Sequence, residues 1–391
     1  MKEARRIVLI SRRYWPLVGG AERVMAGLAA QFQAEGREVQ LLTARWESHW
    51  PEELVHREVP VKRLANPKTR GWGTFRYMHA LKRWLRSNAE QYDAALVSML
   101  KHDAHVTIKT LNQLNKPTLI RAEGAGPTGD CEFHKTARFG SRIKKSCMNA
   151  DGIVAPSQVV EQELIESGFS SEQVQFIPNG VEISDKAPIL KTDARRSLSE
   201  AHPILTIDPG EPLVVYTGRL DVQKGLLDLV DAWQKVAETF PRGRLWLVGE
   251  GNDGRLIWDR IRESRLTTEI VMPGSFDDVS DLLRAADVFV LPSYQEGMSL
   301  SLLEAMASDV PVVASDIPPN RALVENDKGI LFPPKDSEAL ANSLLDSIQK
   351  QKISREYANN ARRFVLEKYS LNKMASSHLE LIDSAIRKRN P

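Results

Sequence analysis

No stretch limits what this chain can fold into as much as PSYQEGMSLSLLEAMA, residues 292–307. The run before it, Ala286-Asp287-Val288-Phe289-Val290-Leu291, is short, apolar and β-branched, so it reads as a buried strand ending at Pro292-Ser293. After Tyr294, Gln295, Glu296 and Gly297, the residues Leu300, Leu303 and Ala307, with Leu302 and Met306, recur at helical spacing. A helix is therefore expected from Ser299. Strand, glycine turn and helix in that order belong to an α/β fold. The amides at the helix start, about Gly297, Met298, Ser299 and Leu300, with the positive end of the helix dipole, make an anion site suited to phosphate.

Glu296 lies on the loop before this helix and Glu304 inside it. Carboxylates on either side of an amide cradle suit a ligand with a diphosphate in the middle and hydroxyl-bearing rings at both ends, because carboxylates accept hydrogen bonds from sugar hydroxyls. A nucleotide sugar has that shape. The alternative, a capping Glu296 and a solvent-facing Glu304, is weakened by the apolar neighbours Leu302, Leu303, Ala305 and Met306.

The string YQEGMSLSLLEAMASDVPVVASD resembles the E-x7-E segment of the retaining glycosyltransferases of family 4 (group 1 glycosyltransferases). The glycine after the first Glu, the Leu-Glu-Ala-Met-Ala core and the trailing Pro-Val-Val-Ala all match. The resemblance implies a GT-B fold, two facing Rossmann-like α/β domains with parallel sheets and a cleft between them. One departure is Asp309, where that family usually has glycine; Asp tolerates the left-handed conformation better than most residues.

The chain has 391 residues, too many for one core and suited to two domains. Its apolar runs are strand-sized, and the basic start MKEARRIVLIS reads as a first strand rather than a secretory signal. Cys131 and Cys147 lack metal-ligand spacing and are expected as free thiols in a cytoplasmic protein, possible contact with the inner membrane face aside. Charge is uneven. Residues 1–150 carry 26 Lys+Arg against 14 Asp+Glu, leaving 27 against 37 for the remainder. A basic first half favours an anionic partner, either an acidic membrane face or a phosphate-bearing acceptor, and nucleic acid is not expected.

Taken in order, Arg6–Ile10 is the first strand, and Gly19-Gly20 precede a helix with Val24, Leu28, Ala29 and Phe32 on one face. This βα turn resembles the family's Gly-Gly-Ala-Glu-Arg segment, which places Gly19 and Gly20 on the donor. Residues 68–87 form a basic aromatic helix with Phe75, Met78, Leu81 and Leu85 spaced as a face and Arg76, Lys82, Arg83 and Arg86 around it. Core packing is the commoner use of such a helix, and peripheral contact with an anionic bilayer is the other. Strand Ala94–Met99 leads to Lys101, His102 and His105, candidates for touching an acceptor because ligands gather at strand C-termini. Strand Thr118–Arg121 opens into a glycine-rich loop with Glu123, Asp130 and, beyond it, His134. Many family members carry a catalytic-site histidine where this chain has Glu123. A carboxylate there is expected to polarise an acceptor hydroxyl or hold the donor sugar. Asp130 and His134 are acceptor-side candidates.

Domains are expected at 1–185 and 210–371, joined by a polar, irregular linker at 186–209, with a final helix 372–391 returning to the first domain as in the family. In the second domain, Arg219 and Lys224 emerge between glycines at the end of a strand, where Arg supplies forked donors and Lys a point charge to a diphosphate. They match the family's Gly-Arg-Leu…Lys-Gly motif. By resemblance, the loops at Gly249 and at Gly274 to Phe276 receive the nucleobase, Glu304 the ribose and Glu296 the donor sugar. The catalytic set is thus Glu123, Arg219, Lys224 and Glu296. Without an Asp-x-Asp-like motif, no metal or other cofactor is expected beyond the nucleoside diphosphate sugar. The implied activity is retaining transfer to a hydroxyl of a glycan or lipid-linked acceptor. The alternative is a nucleotide-sugar-binding relative with lost, epimerase-like or phosphorylase-like chemistry.

Overall fold

Apolar β-branched runs alternating with helices become two parallel sheets in a computed structural model that describes residues 4–17, 19–67, 72–183 and 190–389. The chain divides into two units, Met1–Gly180 with Leu371–Pro391, and Val181–Ser370. In the first, β1 (Arg6–Ile10), β2 (Glu38–Arg45), β3 (Glu53–His56), β4 (Val59–Ala65), β5 (Ala94–Ser98), β6 (Thr118–Arg121), β7 (Gly152–Ala155) and β8 (Val174–Phe176) stand in the order β3-β4-β2-β1-β5-β6-β7-β8. Every neighbouring pair is parallel except β3 with β4. The central strands are buried along their whole length, as sheets covered by helices on both faces require.

The second unit repeats the plan with β9 (Leu213–Thr217), β10 (Arg244–Val248), β11 (Ile270–Gly274), β12 (Val288–Leu291), β13 (Val312–Ser315) and β14 (Ile330–Phe332) in the order β11-β10-β9-β12-β13-β14, all parallel. Each sheet starts in its middle, runs outward to one side, then returns to the middle and runs to the other. The order therefore reverses between β1 and β5 and between β9 and β12. At such a reversal the chain crosses over to opposite sides from the two flanking strands, and ligands bind at the carboxyl edge there.

Two expectations need correction, and one element was not foreseen. The described part of 186–209 is not irregular: the helix Lys191–Ala201 buries Ala194 and Leu198, and Leu205 joins the same second-unit core. The hairpin β3–β4 adds an antiparallel edge that the sequence reading passed over. In the basic helix, which is described from Trp72 to Ser87, Tyr77, Leu81 and Leu85 face the core, while Phe75 is 59% exposed and Trp72 66%. Both cysteines are free and buried. No helix among the described residues is long and apolar enough to cross a membrane.

Candidate functional site

The reversal between β9 and β12 brings two loops with charged residues side by side. The loop after β9 carries Arg219 and Lys224, and the loop after β12 carries Ser293 to Ser299. Lys224 Nζ donates to Glu296 Oε1 across 2.7 Å, so a cation from one loop meets a carboxylate from the other. Both are largely shielded, with side-chain exposures of 16% and 9%. The loops also touch through backbone: Tyr294 N donates to Gln223 O, and Gly225, at φ 67°, lies against Pro292. A Cβ on Gly225 would come within 2.1 Å of the Pro292 carbonyl oxygen, so close approach and left-handed backbone both require glycine there.

A buried polar chain reaches the same carboxylate oxygen. Ser293 Oγ donates to Glu296 Oε1 at 2.6 Å, Ser315 Oγ donates to the Ser293 carbonyl, and Asn320 Nδ2 donates to Ser315 Oγ at 3.1 Å. All three residues are fully buried. They come from the ends of β12 and β13 and from the helix Pro318–Val324, so the carboxylate's position is fixed by the sheet itself. Sequence reading took Ser293 as a strand terminator and gave Ser315 and Asn320 no role; a Ser at the end of two adjacent strands was the available signal.

Arg219 lies at the rim, 59% exposed and 3.5 Å from Asp221. Its carbonyl accepts from Tyr216 Oη, which anchors the loop while leaving the guanidinium in solvent. Ser299 caps the helix Leu300–Ala307 by accepting from Leu302 N, so the helix begins one residue later than expected. Its first amides, with Gly297 and Met298 before them, stay at the same edge. Glu304 is half-buried one turn into that helix.

Beside them, three strand-end loops are laced through glycines. Gly218 N donates to Val248 O, Gly249 N to Gly274 O, and Leu220 N to Glu250 O. At Gly249, φ 141°, a Cβ would sit 1.8 Å from the Gly218 carbonyl oxygen. Gly274 has φ 90° and open space around it, and Phe276 is half-buried with its ring edge-on to His202 at 5.1 Å.

In the first unit, Gly19 caps the helix Gly20–Ala34 with extended backbone. Its missing Cβ leaves room for Glu22, which pairs with Arg13 at 3.2 Å. Glu123 is engaged from two sides: Arg121 Nη1 donates at 2.5 Å and Ser98 Oγ at 3.1 Å. Burial pushes the Glu123 carboxyl upward and the Arg121 charge opposes it. Asp130 spends its two oxygens on the amides of Leu100 and Glu123, and His134 Nε2 meets the Leu100 carbonyl at 2.7 Å. Both are buried and tie the β5 and β6 loops together. Lys101 lies over the Phe133 ring, His102 is edge-on to the same ring, and His105 Nδ1 is 2.8 Å from Ser146 Oγ. Sequence reading missed Arg12 at the end of β1, which stacks between Trp46 and Tyr77 and donates to Thr74. Tyr77 in turn donates to the buried Asp103, whose carboxyl is raised to about 6 by burial.

Comparison with known proteins bears on both units. The family model for glycosyl transferases group 1 matches residues 199–364, and that for Glycosyltransferase Family 4 matches residues 18–185. An uncharacterised glycosyltransferase of Methanocaldococcus jannaschii is 24% identical over 97% of this chain and 98% of its own. The N-acetyl-alpha-D-glucosaminyl L-malate synthase of Bacillus anthracis is 22% identical over 95% and 96%. Among solved structures, sucrose-phosphate synthase of Thermosynechococcus elongatus superposes with a TM-score of 0.82 at 24% identity, covering 98% of this chain and all of that one. Anabaena HepE superposes with a TM-score of 0.78 at 19% identity, covering 97% and 99%. With one family model on each unit and GT-B folds as structural neighbours, the chain belongs to the group 1 glycosyltransferases of the family 4 type, and it is a transferase enzyme.

Proposed function

We propose that the protein moves a sugar from a nucleoside diphosphate sugar to a hydroxyl of a glycan or lipid-linked glycan, with retention at the anomeric carbon. The observation that carries this reading is the shielded Lys224–Glu296 pair at the β9/β12 reversal, with Arg219 at the rim beside it. An ammonium has three protons, so Lys224 can keep Glu296 in place and still direct a donor at a phosphate oxygen. Arg219 adds a fork to the same diphosphate, and the amides at Gly297 to Leu300 add the helix dipole. Glu296 holds the sugar hydroxyls, Glu304 the ribose, and the loops at Gly249, Gly274 and Phe276 the base. In the transfer, the bond from the anomeric carbon to the diphosphate oxygen breaks as the acceptor oxygen bonds on the same face. The acceptor proton passes to the leaving phosphate oxygen, and Arg219 and Lys224 stabilise the charge left there. Glu123 lies on the first unit's strand edge, where it orients an acceptor or donor hydroxyl. The HepE neighbour is described in complex with UDP and with UDP-glucose, which makes a uridine donor the first to try.

Thermal shift against UDP, GDP, ADP and dTDP sugars, followed by NMR of the product anomer, tests this. One nucleotide class should raise the melting temperature by mass action, and the product should keep the donor configuration. An inverted product would refute retention. Tight donor binding with no turnover of any kind would favour the binding-only alternative. Divalent cations should be dispensable: EDTA-treated enzyme losing all turnover and regaining it on Mn²⁺ or Mg²⁺ would contradict that.

A further inference from the structure

The last residue of β6 is a fully buried arginine. Arg121 ends that strand, and Glu123, two residues further on, is the carboxylate that its guanidinium meets. Nη1 donates to Glu123 Oε2 at 2.5 Å and Nη2 donates to Asn179 Oδ1, so one planar fork joins two loops. Asn179 is itself buried, and its neighbour Gly180 donates its amide to Met374 Sδ in the helix Leu371–Arg389. The same helix carries the fully buried His378, whose imidazole is kept neutral by burial and then by the Arg121 charge. Among the described residues no second carboxylate pairs with Arg121.

Glu123 is held at three points by three elements. Ser98 at the end of β5 donates to Oε1, Arg121 in β6 donates to Oε2, and Asp130 in the helix Asp130–Thr136 accepts from the backbone amide. The side chain is nevertheless 11% exposed, so this carboxylate ends the buried chain and meets the surface. A buried guanidinium is a costly brace for a strand end, because apolar residues of similar volume serve stability as well or better. What an apolar residue cannot do is hold a carboxylate charged. Burial pushes the Glu123 carboxyl up and Arg121 opposes it, while Asp130 adds a further upward push and Ser98 a further downward one. Among the described residues the charged groups acting on this carboxyl are thus Arg121 and Asp130, with His378 behind the arginine.

We propose that Arg121 and Asn179 are positioning residues for the transfer: their fork keeps Glu123 a fixed, charged hydrogen-bond acceptor, and the group Glu123 receives is a hydroxyl rather than a phosphate. Arg121 supplies both charge and aim, Asn179 aim alone. The proposal rests on the transferase reading, in which Glu123 meets a substrate hydroxyl.

Two measurements on the full chain test it. An infrared difference titration of the parent against Glu123→Gln, from pH 4 to 9, isolates the protonation of this one carboxyl. Removing the guanidinium in Arg121→Met should move that protonation up by at least about one pH unit, because burial then acts unopposed by the cation. Asn179→Ala keeps the charge and should leave it where the parent has it. The second measurement follows release of nucleoside diphosphate from UDP-glucose, or from whichever of the UDP, GDP, ADP and dTDP sugars gives the larger melting shift. Asn179→Ala should lower kcat about tenfold at every pH while KM stays within about twofold. Arg121→Met should lose activity as pH falls through its raised protonation, on a limb displaced upward from the parent's. The pair Arg121→Met, Glu123→Gln buries no unpartnered charge, so it should recover the parent's melting temperature without recovering kcat. Protonation at the parent's pH in Arg121→Met, parental kcat in Asn179→Ala, or full kcat in the pair would each make Arg121 a mere brace and overturn the proposal. A parent that binds the sugar and releases nothing would count against the transferase reading, and so against any part in transfer, while the infrared titration would still decide whether Arg121 holds the charge.

Discussion

At the scale of single residues, the groups that matter are those whose partners leave them little freedom. Glu296 has Lys224 and Ser293 on the same oxygen, and Ser293 is held by Ser315, which Asn320 holds in turn. Removing Lys224 therefore does two things, taking a charge from the diphosphate and loosening the carboxylate. Lys224→Ala should lower kcat by about 10² or more, the scale of losing one preorganised electrostatic contact. Ser293→Ala leaves the ion pair and should cost about tenfold in kcat with little change in donor affinity, because it disturbs only aim. Steady-state kinetics separates them, and a Ser293→Ala enzyme with parental kcat would deny the relay a role. Glu123 calls for a different substitution from the obvious one. Its partner Arg121 is completely buried, so Glu123→Ala strands a cation in the core, at a cost of about 3–5 kcal/mol. Glu123→Gln keeps one oxygen to accept from Arg121, and its amide NH2 can donate to Ser98 Oγ, which turns from donor to acceptor. If the carboxylate acts on a hydroxyl, this variant should keep a folded first unit and lose activity; full activity would remove Glu123 from the site.

At the scale of elements, the site depends on loops that approach one another at backbone distance. Gly225→Ala meets both a left-handed φ and the Pro292 carbonyl, and Gly249→Ala meets the Gly218 carbonyl. Each should destabilise the second unit by roughly 1–3 kcal/mol and weaken donor binding together with it, readable as a lower melting temperature and a smaller nucleotide shift. At Asp309, φ 60° realises the left-handed turn, so Asp309→Gly should be neutral or stabilising by about 1 kcal/mol. This turn was legible beforehand, as were β1, β6 and β12, because buried parallel strands are plain apolar runs. The hairpin β3–β4 was not. Its turn residues Arg57 and Glu58 take φ 51° and 65° without the Asn-Gly signal of such turns, and its strands carry Glu53, His56, Pro60 and Lys62. The helix Lys191–Ala201 was hidden because two buried residues, Ala194 and Leu198, are too few for a period. In the site, charged residues at strand ends could be picked out by type and place. The relay behind them could not, since Ser315 and Asn320 acquire a role only when neighbouring strands bring them to Ser293.

At the scale of the whole molecule, each unit closes its own core, and the first does so with the last segment of the chain. The helix Leu371–Arg389 is fastened to it through Asp383, which accepts from Ala4 N and pairs with Arg37, and through Arg389, which forks onto Asp151. Its His378 is fully buried, with Nδ1 donating to the Met374 carbonyl. Burial first, and then the charge of Arg121, hold that imidazole down to about 3. The folded unit thus keeps His378 neutral while the unfolded chain takes up a proton near the ordinary value. Stability from this group is complete above about pH 6.5 and is lost as pH falls toward 3, on the order of 3 kcal/mol by pH 4. Asp103 acts with the opposite sign. Raised to about 6, it keeps its proton in the folded state between pH 4 and 6, so it opposes the acid loss. Hydrogen exchange of first-unit amides in urea, from pH 4 to 8, should show stability falling on the acid side. His378→Leu should flatten that fall, and Asp103→Asn should steepen it while raising stability at pH 8. If both variants followed the parent's slope, neither buried group would govern the acid response, and the titrating groups would have to be sought among the exposed ion pairs of the same unit.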